Sequence, residues 1–130
     1  EKLAEKLHLP VGTPMIRVAR LVTADGRPAI YCEDVIEKSL AHGKASLRDY
    51  KQPIFHFLQR FCGVTPYMDL TEVRPAVADA ALSEVFDCSI GTPLLHMEEV
   101  DFDLEGTPVL FSDEYYADGI IKHTVMRKKL

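Results

Sequence analysis

The chain has 130 residues, 47% hydrophobic and 27% charged, enough for one domain's core and incompatible with a disordered, fibrous or membrane-embedded chain. Fifteen basic residues against twenty acidic ones give a formal charge of -5, a poor balance for neutralising many phosphates, so this segment is not expected to hold DNA by itself. No apolar run has the length of a membrane span, and the start, Glu1-Lys2-Leu3-Ala4-Glu5-Lys6, lacks a signal-peptide core, which makes the cytoplasm the expected location and excludes a membrane partner.

Leu3 and Leu7 at helical spacing predict a short amphipathic helix that Pro10 and Pro14 prevent from continuing. A strand follows from Met15 to Val22. The Asp25-Gly26 pair supplies the positive φ of a tight hairpin turn, after which the chain returns as a second strand. Pro53 to Cys62 reads as a core helix: Pro53 suits a first turn, Ile54, Phe57, Leu58 and Phe61 share a face, and Gly63 stops it. Tyr67 to Ala78 reads as a third strand leading into a helix capped by Asp79, with Ala81, Leu82, Val85 and Phe86 on its apolar side. From Val100 to Leu104 apolar residues alternate with Asp101 and Asp103, the signature of a strand with one wet face. A turn at Gly106, a returning strand and a final strand from Ile120 to Met126 complete the chain. About six strands and three helices without βαβ alternation predict an α+β fold built on an antiparallel sheet.

The chain also contains an internal repeat. Gly12-Thr13-Pro14 recurs as Gly91-Thr92-Pro93, Leu3, Glu5, Leu7 and Val11 match Leu82, Glu84, Phe86 and Ile90, and Asp25-Gly26-Arg27-Pro28 matches Glu105-Gly106-Thr107-Pro108. Each copy reads as a helix plus a hairpin. Cys32, Cys62 and Cys88 are odd in number and widely spaced, so buried free thiols are expected in place of disulfides or a zinc site. The histidines have no paired spacing, Glu98-Glu99 and Asp101-Asp103 read as a solvated strand face, and the basic tail from Lys122 reads as a solvated terminus. Neither a metal nor a cofactor is expected.

Two Gly-Thr-Pro modules, Asp-Gly-x-Pro, the Pro-Ile-Phe-x-Phe-Leu helix, Ala-x-x-Ala-x-x-Ala-Leu, Glu-Gly-x-Pro-Val and Phe-Ser-x-x-Tyr-Tyr, in this order, together resemble the UTRA domain, the effector-binding half of HutC-type GntR transcription regulators. The resemblance spans essentially the whole chain, residues 1–130. It implies a chorismate-lyase-like fold, a small-molecule effector, a homodimer, no enzymatic activity, and contact with DNA only through a winged helix-turn-helix half that is absent from this chain. The alternative within that fold is a chorismate-pyruvate-lyase-like enzyme, with Arg20 on the carboxylate and Glu114 assisting elimination. Apolar residues on both faces of Met15 to Val22 fit a dimer formed through the sheet.

Arg20 shares a strand face with Ile16, Val18 and Val22, and a guanidinium among aliphatics needs an anionic partner. That partner is either a ligand carboxylate or phosphate, or an internal carboxylate such as Glu33, Glu99 or Glu114. The resemblance favours the ligand, because Arg20 matches an effector-contacting arginine of sugar-phosphate-sensing members. Those members have a second arginine where this chain has Val22, a serine and a tyrosine where it has Pro53 and Phe55, and glutamates at the positions of Cys32 and Leu110, while Tyr116 is retained. A phosphosugar is disfavoured, because phosphate oxygens would lack donors. The expected lining is Phe55, Tyr31, Leu110 and Tyr116 with Cys32, and the polar groups are Arg20, Ser112, Glu114 and His56, suiting a small, anionic, partly apolar effector.

Overall fold

A computed structural model describes residues 2–40, 54–58, 62–119 and 122–128. Helix α1 spans Lys2–Lys6, and strands β1 (Met15–Ala24) and β2 (Arg27–Glu37) form the first hairpin. Helix α2 (Ile54–Phe57), strand β3 (Met68–Val77) and helix α3 (Ala80–Phe86) follow, then strands β4 (Pro93–Phe102) and β5 (Pro108–Ala117) form the second hairpin. The five strands make one antiparallel sheet in the order β1-β2-β5-β4-β3. No described helix is long and apolar enough to cross a membrane.

Both helix-to-hairpin connections are built from the same local bonds. After α1 the chain turns through His8 in the left-handed region (φ 55) and Leu9 N–H donates to Ala4 O at 2.7 Å; after α3, Asp87 (φ 50) and the Cys88 N–H to Ser83 O bond at 3.1 Å do the same. These are left-handed helix terminations that satisfy otherwise orphaned carbonyls. Gly12 and Gly91 each sit at φ +91, where a side chain is disfavoured. Thr13 and Thr92 each donate through Oγ1 to the carbonyl three residues back, Pro10 at 2.6 Å and Ser89 at 2.7 Å. Asp79 caps α3 as its sequence position predicts, accepting from Leu82 N–H at 2.9 Å.

Three apolar clusters hold the layers together. On one face of the sheet, Leu7 of α1 packs with Val100 and Phe111, and Phe86 of α3 packs with Ala78 and Leu94. On the other, Phe57, Leu58 and Cys62 pack against Ile36 and Leu110. Among the described residues, the cluster of Phe57, Leu58 and Cys62 covers the end of its face formed by the start of β1, the end of β2 and the start of β5.

Several sequence expectations are corrected here. The sheet has five strands among the described residues: positions 122–126 of the expected sixth strand carry no regular structure, and Ile120 and Ile121 lie outside the described residues. Strand β4 ends at Phe102 rather than Leu104, because Asp103 Oδ1 accepts from the backbone N–H groups of Glu105 and Thr107 at 3.0 and 2.9 Å and so closes the turn. The three thiols are free, but only Cys62 is buried; Cys32 and Cys88 are partly exposed.

Candidate functional site

Residues paired across antiparallel strands share a face, so the strand register shows which side chains meet. Arg20 lies opposite Cys32, Cys32 opposite Glu114, and Glu114 opposite Met97. The adjacent row runs through Val18, Asp34, Ser112, Glu99 and Thr71, and Tyr116 sits opposite both Ile30 and Leu95 on the other side. Six of the seven expected site residues, Arg20, Cys32, Leu110, Ser112, Glu114 and Tyr116, therefore occupy the face that α2 partly covers. For the seventh, Phe55, the backbone lies in α2, but its side chain, like those of Pro53 and His56, lies outside the described residues. Leu110 is fully buried against Phe57 and Leu58. Tyr31 has the opposite parity: it pairs with Tyr115 and packs in the α3 cluster, so it does not line this face.

The centre of the face is an ionic cluster. Arg20 Nη1 donates to Asp34 Oδ2 at 2.5 Å, and Ser112 Oγ donates to Asp34 Oδ1 at 2.5 Å. The Arg20 side chain is 15% exposed and that of Asp34 5%. The internal carboxylate is thus none of the three foreseen; Glu33 is on the opposite face, paired with Arg17 at 3.3 Å. Burial pushes the Asp34 carboxyl upward against the pull of Ser112 and Arg20. Tyr116 donates its hydroxyl to Glu114 Oε2 at 2.6 Å and meets the His123 ring edge-on at 4.4 Å. Burial also raises Glu114, opposed by that hydroxyl, and lifts the Cys32 thiol to about 11, with Asp34 and Glu114 adding to the effect. A thiol so placed stays protonated at neutral pH and is a poor nucleophile.

Asp34 was missed by sequence reasoning, although its signal matches that of Arg20: it is the charged member of the β2 stripe Ile30, Cys32, Asp34, Ile36. The stretch read as a solvated strand face is another correction. Glu98 and Asp101 are buried, on opposite faces, and Glu99 is half-buried. Burial lifts Glu99 to about 8, with Asp101 adding to the rise, and burial lifts Asp101 to about 6. Glu98 faces α1, where Lys2 Nζ donates to it at 2.9 Å and Arg74 approaches to 3.6 Å; these cations hold it below the usual carboxylate range. Beside it His96 contacts Asp113 and stacks on Tyr115 at 4.4 Å.

A cavity of about 490 Å³ opens beside Tyr116 and His123, lined also by Val73, Pro75 and Leu95. Arg20 and Asp34 do not line it. Tyr116 links the two: it lines the cavity, and its hydroxyl donates to Glu114 on the Arg20 face.

Solved structures with this architecture include a GntR-family transcriptional regulator from Enterococcus faecalis (18% identity, TM-score 0.85, 95% of this chain and 88% of that one). They also include the effector domain of PhnF from Mycobacterium smegmatis (20% identity, TM-score 0.85, 98% and 79%). Against PhnF itself the chain aligns over 99% of its own length and 57% of the other, again with a TM-score of 0.85 and 20% identity. No curated protein sequence matches the chain significantly. The UTRA domain profile matches residues 1–118, a range that holds every helix and strand described above, and the chain therefore belongs to the UTRA domain family.

Proposed function

We propose that the Arg20 face is the effector pocket, that the effector is a small, anionic, partly apolar molecule, and that its binding is transmitted, within a homodimer, to a DNA-binding domain N-terminal to this one. The observation that carries the reading is Arg20 itself, the one arginine among the described strand residues of its face, held by Asp34 and partly exposed. Asp34 is a weakened competitor for that guanidinium, because burial raises its affinity for a proton. An arriving carboxylate takes over the arginine while Asp34 picks up a proton, so binding is accompanied by proton uptake. Glu114 and Glu99 suit effector hydroxyl or amino donors, whereas a phosphate dianion needs more donors than Arg20 and Ser112 offer. Sensing fits this site better than lyase chemistry, since the Glu114 carboxylate is already engaged by the Tyr116 hydroxyl.

The matching bonds around Gly12 and Gly91 support reading the two helix-hairpin units as copies related by a pseudo-twofold between β2 and β5, within a chorismate-lyase-like fold. The exposed apolar side chains of the outer strands, Leu21 and Val22 on β1 and Leu70 and Val73 on β3, support dimerisation through the sheet; a monomer by sedimentation at high micromolar concentration contradicts it. The effector reading is tested by thermal shift across small carboxylates and hexosamine phosphates. Carboxylates are expected to raise the Tm of the parent and not that of the Arg20→Ala/Asp34→Asn double variant, which removes both charges together. Stabilisation by hexosamine phosphates alone, or equal stabilisation of the double variant, overturns it.

A further inference from the structure

We propose that Asp69, Glu99 and Asp101, at the β3–β4 side of the same face, form a binding site for a hard divalent cation of the Mg²⁺, Mn²⁺ or Ca²⁺ class. The proposal goes beyond the effector reading and does not depend on it. One ligand oxygen from each of the three carboxyl groups lies within 4.8 Å of the others, a spacing at which a single ion reaches all three. The register makes this compact: Asp69 pairs with Asp101 across β3 and β4, and Thr71 with Glu99 one row along, its hydroxyl 2.7 Å from Asp69 Oδ1 and 3.4 Å from Glu99 Oε1.

An acidic cluster alone is an ordinary surface feature, but this one has a second property. Asp101 is 2% exposed, and its Oδ2 has no hydrogen-bond partner among the described residues. A buried carboxylate oxygen without a donor is costly, and a cation drawn to the cluster satisfies it. The second acidic group in the sheet shows the contrast. Glu98 also has a buried oxygen without a hydrogen bond, but Lys2 and Arg74 lie against it at 2.9 and 3.6 Å, so the protein supplies its own cations there. Among the described residues no lysine, arginine or histidine forms an ion pair with Asp69, Glu99 or Asp101. Burial grades from exposed Asp69 through half-buried Glu99 to buried Asp101, which gives an ion a path inward while it still holds water. Three oxygen donors without nitrogen or sulfur select hard cations.

Binding exchanges part of the ion's water shell for carboxylate oxygens of Asp69, Glu99 and Asp101, and no covalent bond forms or breaks. Calorimetric titration of the chelator-treated chain with Mn²⁺ is expected to show saturable binding, and Mn²⁺ should also raise Tm by several degrees. Asp69→Asn, at an exposed position that leaves the core intact, and Glu99→Gln should each weaken binding at least about tenfold. Lack of saturable binding up to about 1 mM, the weak end for carboxylate sites, overturns the proposal. So does undiminished affinity in the Asp69→Asn/Glu99→Gln double variant.

Discussion

Replacing Arg20 with alanine leaves Asp34 buried at 5% side-chain exposure with Ser112 as its remaining described partner. Breaking a buried ion pair from one side costs about 3–5 kcal/mol when the remaining charge has no escape. Asp34 has one: it can take a proton. In the folded state that neutral form costs, relative to an unfolded carboxylate of pKa about 3.9, roughly 1.4 kcal/mol per pH unit above that value. The ionic part of the loss is therefore capped near 1.5 kcal/mol at pH 5 and near 4 kcal/mol at pH 7, with the lost packing of the arginine stem as a pH-independent remainder. Because the folded pKa of Asp34 lies above its unfolded value, the variant binds more protons folded than unfolded between them, and its stability falls as pH rises through that window.

Urea denaturation of the parent and Arg20→Ala chains at pH 5 and pH 7 measures this directly. The stability difference is expected to widen by about 2 kcal/mol between the two, and Asp34→Asn in the Arg20→Ala background should recover most of it. A difference that is the same at both pH values refutes the argument, since the penalty would then come from packing and not from a stranded carboxylate.

Two further outcomes follow from the same accounting. Glu99, raised by burial and by Asp101 to about 8 from an ordinary carboxylate value, binds its proton more tightly folded than unfolded, so the metal-free chain should lose stability as pH rises from about 4.5 to 8. Glu99→Gln should flatten that slope in denaturation midpoints, and an unchanged slope places its origin elsewhere. Gly12→Ala and Gly91→Ala both force a side chain into φ +91 with open space around the added methyl, so each should cost about 1–2 kcal/mol from backbone strain alone. Thermal melts showing one costly and one neutral would contradict the equivalence of the two turns.

Local chemistry made much of this fold legible. The two Gly-Thr-Pro turns, the Asp79 cap and the Asp25-Gly26 hairpin are set by short-range backbone requirements, and the sequence carries each of them within a few residues. Strand parity was legible as well: it placed Arg20 with Ile16 and Val18 and away from Arg17. Parity does not reveal which side of a strand meets water. Asp101 alternates with apolar neighbours as a wet-face residue does, yet it points to the side where Phe57 and Leu58 of the α2 region close over the sheet end, and it is buried. Tyr31 was assigned to the pocket on chemistry although its parity, opposite to that of Cys32, excluded it. Asp34 went unnoticed because its partners, Arg20 and Ser112, come from two other strands, and a partner 78 residues away along the chain leaves no local signal.

The charge of this face constrains what it can bind. Arg20 shares its face with Asp34, Asp69, Glu99, Asp101 and Glu114, so with every carboxyl ionised the described strand residues present an incoming anion with five negative charges and one positive. Two unit charges at 4 Å interact by about 4 kcal/mol at an effective dielectric near 20, so a single arginine does not outweigh that repulsion. Burial already raises Asp34, Glu99, Asp101 and Glu114, which lowers the cost of proton uptake, and a divalent cation at Asp69, Glu99 and Asp101 would offset the remainder without a proton. Either route lets an anion reach Arg20, and both make its affinity depend on the ionic state of carboxyl groups it need not touch. A face composed this way is tuned to a singly charged effector bringing its own hydrogen-bond donors, for which Glu114 and Glu99 become partners as the arginine changes hands.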